Sequence, residues 1–208
     1  MLNYHRLINT LKLCLLTTLV TGCSLLPSPT TPPPTVDWVN HVRALTFITD
    51  WHIKGKIGFK QTGSGGSAYI DWTQSQDSFY ITLSGPLGQG TTIISGNESG
   101  ARLDTASDGS FISSTPEQLL QEHTGWFIPL SNLLYWVRGL PEPRSPADKT
   151  FNSEGLIESM QQGEWQLSFD RYKPTFGQPL PYRIKMKSQG LSVTMLIKEW
   201  LPLEKPLT

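Results

Sequence analysis

From Trp51 to Trp200 apolar and polar residues alternate in short runs, and a period of two commits a chain to half-buried β-strands. Trp51, Ile53, Ile57 and Phe59 alternate with His52, Lys54, Lys56 and Lys60, which gives one apolar and one basic face. The pattern returns in Ala68 to Thr73 (through Ile70 and Trp72), Phe79-Tyr80-Ile81-Thr82-Leu83, Thr91 to Ser95, Gly100 to Thr105 and Ser110 to Ser113. It comes back at Leu156 to Gln161, Trp165-Leu167-Phe169, Tyr182-Ile184-Met186 and Leu191-Val193-Met195-Ile197. Eleven of the 18 glycines lie between Gly55 and Gly109, and turns at Gly63-Ser64-Gly65-Gly66, Gln76-Asp77 and Asp108-Gly109 separate the runs. A meander of about ten antiparallel strands is the economical reading.

Three segments change period. Trp38, Val42, Leu45 and Thr49 share one face at helical spacing within Val36 to Thr49, with Asp37 as N-cap. Thr115-Pro116-Glu117-Gln118 has the form of a helix start, and that helix should stop at Gly125. Another begins near Ser131 and runs through Leu133-Leu134-Tyr135-Trp136-Val137 to Gly139, where Pro141 and Pro143 forbid continuation. Its surface is apolar almost all round, so something must cover it. A sheet of this length twists and curls. One face would carry Trp51, Ile53, Ile57, Phe59, Ile70, Trp72, Phe79, Ile81, Leu83, Trp165, Leu167, Phe169, Ile184 and Met186, with the helices at 116–124 and 131–138 closing the open side, the second through Leu133, Leu134, Trp136 and Val137. The result is either a filled core or an apolar cavity; periodicity is compatible with both.

Met1 to Gly22 has basic Arg6 and Lys12, then an uncharged run of about ten residues, where a membrane-spanning helix needs roughly twenty. It reads as a secretory signal peptide. Leu19-Val20-Thr21-Gly22-Cys23 resembles a bacterial lipobox, which implies cleavage before Cys23 and acylation of that cysteine. Cys14 then leaves with the peptide, and no free thiol remains for catalysis or metal binding. Ser24 occupies the position where an aspartate retains lipoproteins at the inner membrane of Gram-negative bacteria, so the outer membrane is expected. Residues 23–35 form a tether: five prolines in the twelve residues from Ser24 to Thr35 favour extended polyproline II, with a reach of roughly 35 to 40 Å. Residues 36–208 are the expected body.

Lys+Arg and Asp+Glu each count 17, and removal of residues 1–22 takes two bases and no acid, leaving 15 and 17. A faintly acidic chain has no electrostatic footprint for nucleic acid. His41, His52 and His123 sit on different elements without metal-ligand spacing, and read as surface histidines. No metal or cofactor is expected. Gly96-Asn97-Glu98-Ser99-Gly100 puts its serine one place late for a nucleophile elbow, and no phosphate loop exists, so ATP is not the energy source. A hydrolase would need Ser, His and Asp gathered by the fold alone.

Taken together, the lipobox, Trp51 to Phe59 with Gly55, Gly85-Pro86-Leu87-Gly88, the stretch Ile128 to Pro141, Gly163-x-Trp165 with Tyr172, Leu180-Pro181 and Trp200 resemble the LolB family of outer-membrane lipoprotein receptors. The resemblance covers nearly the whole mature chain in the family's order. It implies a mainly β fold: an unclosed, incomplete antiparallel β-barrel of about ten to eleven strands under about three helices, with an apolar cavity between. It also implies partners: a soluble LolA-like periplasmic carrier, acylated lipoprotein cargo, and the inner leaflet of the outer membrane. A monomer is expected. The family's membrane-active leucine maps to Leu87, flanked by φ-fixing Pro86 and permissive Gly88. Lys54, Lys56 and Lys60 on one strand and Arg183, Lys185 and Lys187 on another would form a basic face if the strands are neighbours, suited to an acidic carrier or an anionic surface. The alternative from another class is a half-barrel lipoprotein with a sensing or scaffolding role and no cargo transfer.

Overall fold

The computed structural model describes residues 36–85, 90–125 and 127–203. The alternating runs become strands β1 (Asp50–Gln61), β2 (Ser64–Ser75), β3 (Ser78–Ser84), β4 (Thr92–Asn97), β5 (Gly100–Thr105) and β6 (Gly109–Ser113). After two helices come β7 (Ala147–Phe151), β8 (Ile157–Gln162), β9 (Trp165–Asp170), β10 (Lys173–Thr175), β11 (Gln178–Leu180), β12 (Arg183–Ser188) and β13 (Leu191–Pro202). Eleven of them form one sheet in the order β6-β5-β4-β3-β2-β1-β13-β12-β9-β8-β7, antiparallel throughout, while β10 and β11 form a separate ribbon. The two ends of that order, β6 and β7, are not paired with each other, so the barrel is unclosed. Its inner face is the predicted one: Ile53, Trp72, Ile81, Leu167, Phe169, Ile184 and Met186 are all buried.

Long strands keep a core on one side only if every irregularity is corrected in phase. Lys54 pairs with Glu199 and Gly55 with Ile197, which leaves Lys198 as an extra residue on β13. Lys198 and Glu199 therefore both face outward, and Trp200 swings back inside to meet Trp51, ring centroids 5.4 Å apart. Trp51 also packs edge-on against Trp72 at 5.0 Å.

The helices are those the caps announce. Helix α1 (Trp38–Thr46) opens where the Asp37 carboxylate accepts the Asn40 N–H at 3.1 Å. It stops three residues short of the expected Thr49. Helix α2 (Pro116–Thr124) is capped by Thr115 and ends at Gly125 with φ 73°. Helix α3 (Leu130–Trp136) buries Leu130, Leu133 and Trp136, and closes with Gly139 at φ 76° and a Leu140 N–H bond to the Tyr135 carbonyl at 3.1 Å.

Two elements depart from the sequence reading. Strand β7 lies between the prolines that stop α3 and Leu156, where no strand was expected; four of its five residues are exposed, so it is an edge strand with no alternation to read. The β10–β11 ribbon is equally hidden, since both of its strands contain proline, a poor strand former. A third correction concerns His41, expected at the surface: it is 4% exposed, with Nδ1 3.1 Å from Gln178 Oε1 on that ribbon.

Candidate lipid-binding site

Between the concave sheet face and α2 lies an open pocket of about 570 Å³. Its apolar wall is built by successive strands: Ile57 and Phe59 of β1, Ala68 of β2, Leu83 of β3, Ile94 of β4, Leu103 of β5 and Val193 of β13. Leu120 and Ile128 close it from the helical side. Phe59 stands opposite Gly66, where an added Cβ would come within 2.7 Å of the ring, so glycine gives the aromatic its seat. The rim is polar, with Thr91, Thr92, Thr105, Ser107 and Asp108, and His123 stands there against Phe111, ring centroids 3.8 Å apart. An apolar wall with hydroxyls only at its mouth takes a hydrocarbon chain and leaves a polar head in water. Gly90, three residues after Leu87, also lines this pocket.

Two further pockets lie under α3 toward the other end of the sheet. One, of about 480 Å³, is bounded by Trp51 and Leu134; the other, of about 360 Å³, by Trp72, Phe79 and Leu134. Trp165 borders a fourth of about 560 Å³ beside Phe127 and Pro129. Of the expected cavity residues, Ile57, Phe59 and Leu83 thus meet at the first pocket, and Trp51, Trp72, Phe79, Leu134 and Trp165 border the others. Ile53, Ile70, Ile81, Leu133, Trp136, Val137, Leu167, Phe169, Ile184 and Met186 stand in the packed interior, each at most 4% exposed. Cys23 and Leu87 lie outside the described residues.

Several polar residues that hold the roof were not anticipated. Gln162 accepts the Trp136 indole N–H at 2.7 Å and the Glu142 N–H at 3.0 Å, and donates to the Glu142 carbonyl at 2.7 Å, tying α3 and the loop after it to β8. The Glu142 carboxylate, itself buried, is held below the usual carboxylate range by Arg144 and Ser145 against the opposing effect of its burial. Arg138 is buried between α1 and α3. Its sequence signal is a single charge inside the apolar run Leu133 to Leu140. His52 bonds Asp71 across the outer face at 2.8 Å, and no cluster of three metal-binding side chains exists among the described residues.

An unclosed antiparallel sheet roofed by helices, with an apolar pocket open at its rim, defines the class of half-barrel lipid-binding proteins. The family model described as outer membrane lipoprotein LolB matches residues 49–200. The outer-membrane lipoprotein LolB of Pseudomonas savastanoi pv. phaseolicola is 38% identical over 187 residues, spanning 88% of this chain and 91% of its own. That of Pseudomonas fluorescens is 41% identical over 165 residues, 79% and 80% of the two chains. Among solved structures, a LolA superfamily protein from Nitrosomonas europaea has a TM-score of 0.51 at 8% identity, over 75% of this chain and 86% of its own. A DUF1329 family protein from Desulfovibrio piger gives the same score at 7% identity, over 81% and 92%. These two show the fold alone. The chain belongs to the LolB family, lipid-anchored proteins of the outer membrane. No helix among the described residues is long and apolar enough to cross a membrane.

Proposed function

We propose that the protein is the outer-membrane receptor that takes acylated lipoproteins from a soluble LolA-like carrier and inserts them into the inner leaflet, with Cys23 carrying its own lipid anchor. The observation that supports this best is the open apolar pocket of about 570 Å³ that Leu83 and Gly90 help to line. A saturated chain of about fifteen methylenes costs on the order of 12 kcal/mol to expose to water, so cargo crosses between membranes only inside a protein lining. Each hand-over needs only a difference in affinity between successive sites, which requires no nucleotide. Leu87, between a proline and a glycine, is the side chain that enters the bilayer and opens the exit.

Full-length protein in vesicles, offered a carrier loaded with radiolabelled triacylated lipoprotein, tests both halves. Label is expected to move into the vesicles. Ala68→Trp, which fills the pocket, stops acceptance, so label stays on the carrier; undiminished acceptance removes the pocket from the reading. Leu87→Glu accepts label but does not release it to lipid, and equal release by mutant and parent removes Leu87 from the mechanism.

A further inference from the structure

Trp51, on the wall of the pocket under α1 and α3, and Phe59, on the wall of the rim pocket, are eight residues apart on one strand, about 26 Å at strand rise. The two pockets are therefore separate, and the former contains a buried cation that has carbonyls and the Tyr135 ring around it but no carboxylate. Arg138 lines it, is 8% exposed, and makes no ion pair among the described residues. Its Nε donates to the Leu134 carbonyl at 3.1 Å, and its Nη1 to the Leu45 and Ile48 carbonyls at 3.0 and 2.9 Å. These bonds use three of the five guanidinium donors. Nη2 has no partner among the described residues and is not sealed off, because the buried side-chain nitrogen without a partner is Trp200 Nε1. Its two N–H groups make no bond among the described residues, and the side chain that carries them lines the pocket.

A buried cation without a counter-ion is costly unless an anion or a set of dipoles completes it. Here the dipoles come from three carbonyls, with the Tyr135 ring 5.5 Å from the guanidinium carbon, and Nη2 keeps two N–H groups that phosphate or carboxylate oxygens accept one at a time. Val42, Trp51, Leu134 and Leu140 form the hydrocarbon part of the pocket's lining, beside the polar Thr46, Thr49, Gln74 and Gln76. We propose that this pocket binds a small anionic amphiphile, its phosphate or carboxylate head on Arg138 Nη2 and its tail along Trp51, Leu134 and Leu140. Asp77, from the β2–β3 turn, lines the same pocket, and its charge opposes the ligand's. The inference does not rest on cargo transfer.

The probe is octyl phosphate, followed by phosphorus NMR with the full-length protein in neutral octyl glucoside, whose identical tail saturates purely apolar sites. Octyl phosphate is expected to bind in competition with that excess, while inorganic phosphate binds at least about tenfold more weakly, because it lacks the tail contacts. Arg138→Gln should lose about tenfold or more. Because Arg138 also caps α1, Thr46→Trp serves as the second variant: it fills the pocket from the exposed side of α1 and leaves the guanidinium in place. It should abolish binding with an unchanged melting temperature, and Asp77→Asn should tighten binding a few-fold. Unaltered binding in folded Thr46→Trp, equal affinity for inorganic phosphate, or loss of binding only in Ala68→Trp would each overturn the proposal. Ala68→Trp is also the variant that tests cargo acceptance, so the two readings fail independently.

Discussion

At position 55 the neighbouring backbone leaves no room for a side chain. An ideal Cβ there would collide with the Leu196 carbonyl oxygen, at the point where β13 carries its extra residue. Gly55→Ala is expected to lower stability by about 2 kcal/mol, read from the denaturant midpoint, because backbone cannot give way as a flexible side chain can. His41 makes a different kind of demand. Burial pushes its pKa below the ordinary 6.5, outweighing the opposite pull of the Gln178 hydrogen bond. A histidine depressed in the folded state is neutral in both states above 6.5, so the fold keeps its full stability there. As pH falls below 6.5 the unfolded chain takes the proton first, and stability is lost down through the folded pKa. Melting temperature should therefore drop between neutral pH and about pH 5 in the parent and drop less in His41→Gln; equal slopes would assign the acid sensitivity to another group. Sequence spacing placed His41 on the same helix but not inside the protein, because its cover is the β10–β11 ribbon, far along the chain.

Strands and helices were legible to the degree that each carries its own signal. Thr115, Pro116 and Gly125 mark both ends of α2, and the inward set from Trp51 to Met186 follows from period two alone. The bulge at Lys198 was also written in the chain, since Ile197 and Trp200 are three apart where two would keep phase, yet the partner that absorbs it, Gly55, is visible only once β1 and β13 are paired. Strand β7 had no signal at all. The site is less legible still: inner-face residues such as Ile53 and Ile57 look alike in sequence, but Ile53 is 0% exposed and Ile57 borders the rim pocket. What separates them is what packs against each in three dimensions, which period two does not encode. That roof depends on Gln162. Gln162→Leu would strand the Trp136 indole N–H and the Glu142 N–H in a buried place, and should cost about 3 kcal/mol by thermal or chemical denaturation, with α3 loosened first. A loss below about 1 kcal/mol would mean that water replaces the amide.

At the scale of the molecule, the sheet order settles whether the two basic strands are neighbours. β13 lies between β1 and β12, so Lys60, Ser192 and Lys187 form one cross-strand row, with the two lysine backbones about 10 Å apart at ordinary strand spacing. Arg183 is committed to Asp170 at 2.6 and 2.8 Å, and Lys54 faces Glu199 and Asp71 across the strands. Lys60, Lys185 and Lys187 form no ion pair among the described residues, which concentrates positive charge on the outer face of a chain whose net charge is zero. Exposed charges of one sign speed the approach of an oppositely charged partner more than they tighten the final complex. The triple change Lys60→Glu, Lys185→Glu, Lys187→Glu should therefore slow cargo acceptance from an acidic carrier about tenfold at low ionic strength and leave the amount finally accepted unchanged. Raising salt should bring parent and variant rates together, because a Debye length of about 8 Å at physiological ionic strength already screens charges that do not touch. Acceptance rates that ignore both salt and the reversal would leave the pocket's rim, with its threonines, to meet the carrier by shape and apolar contact alone.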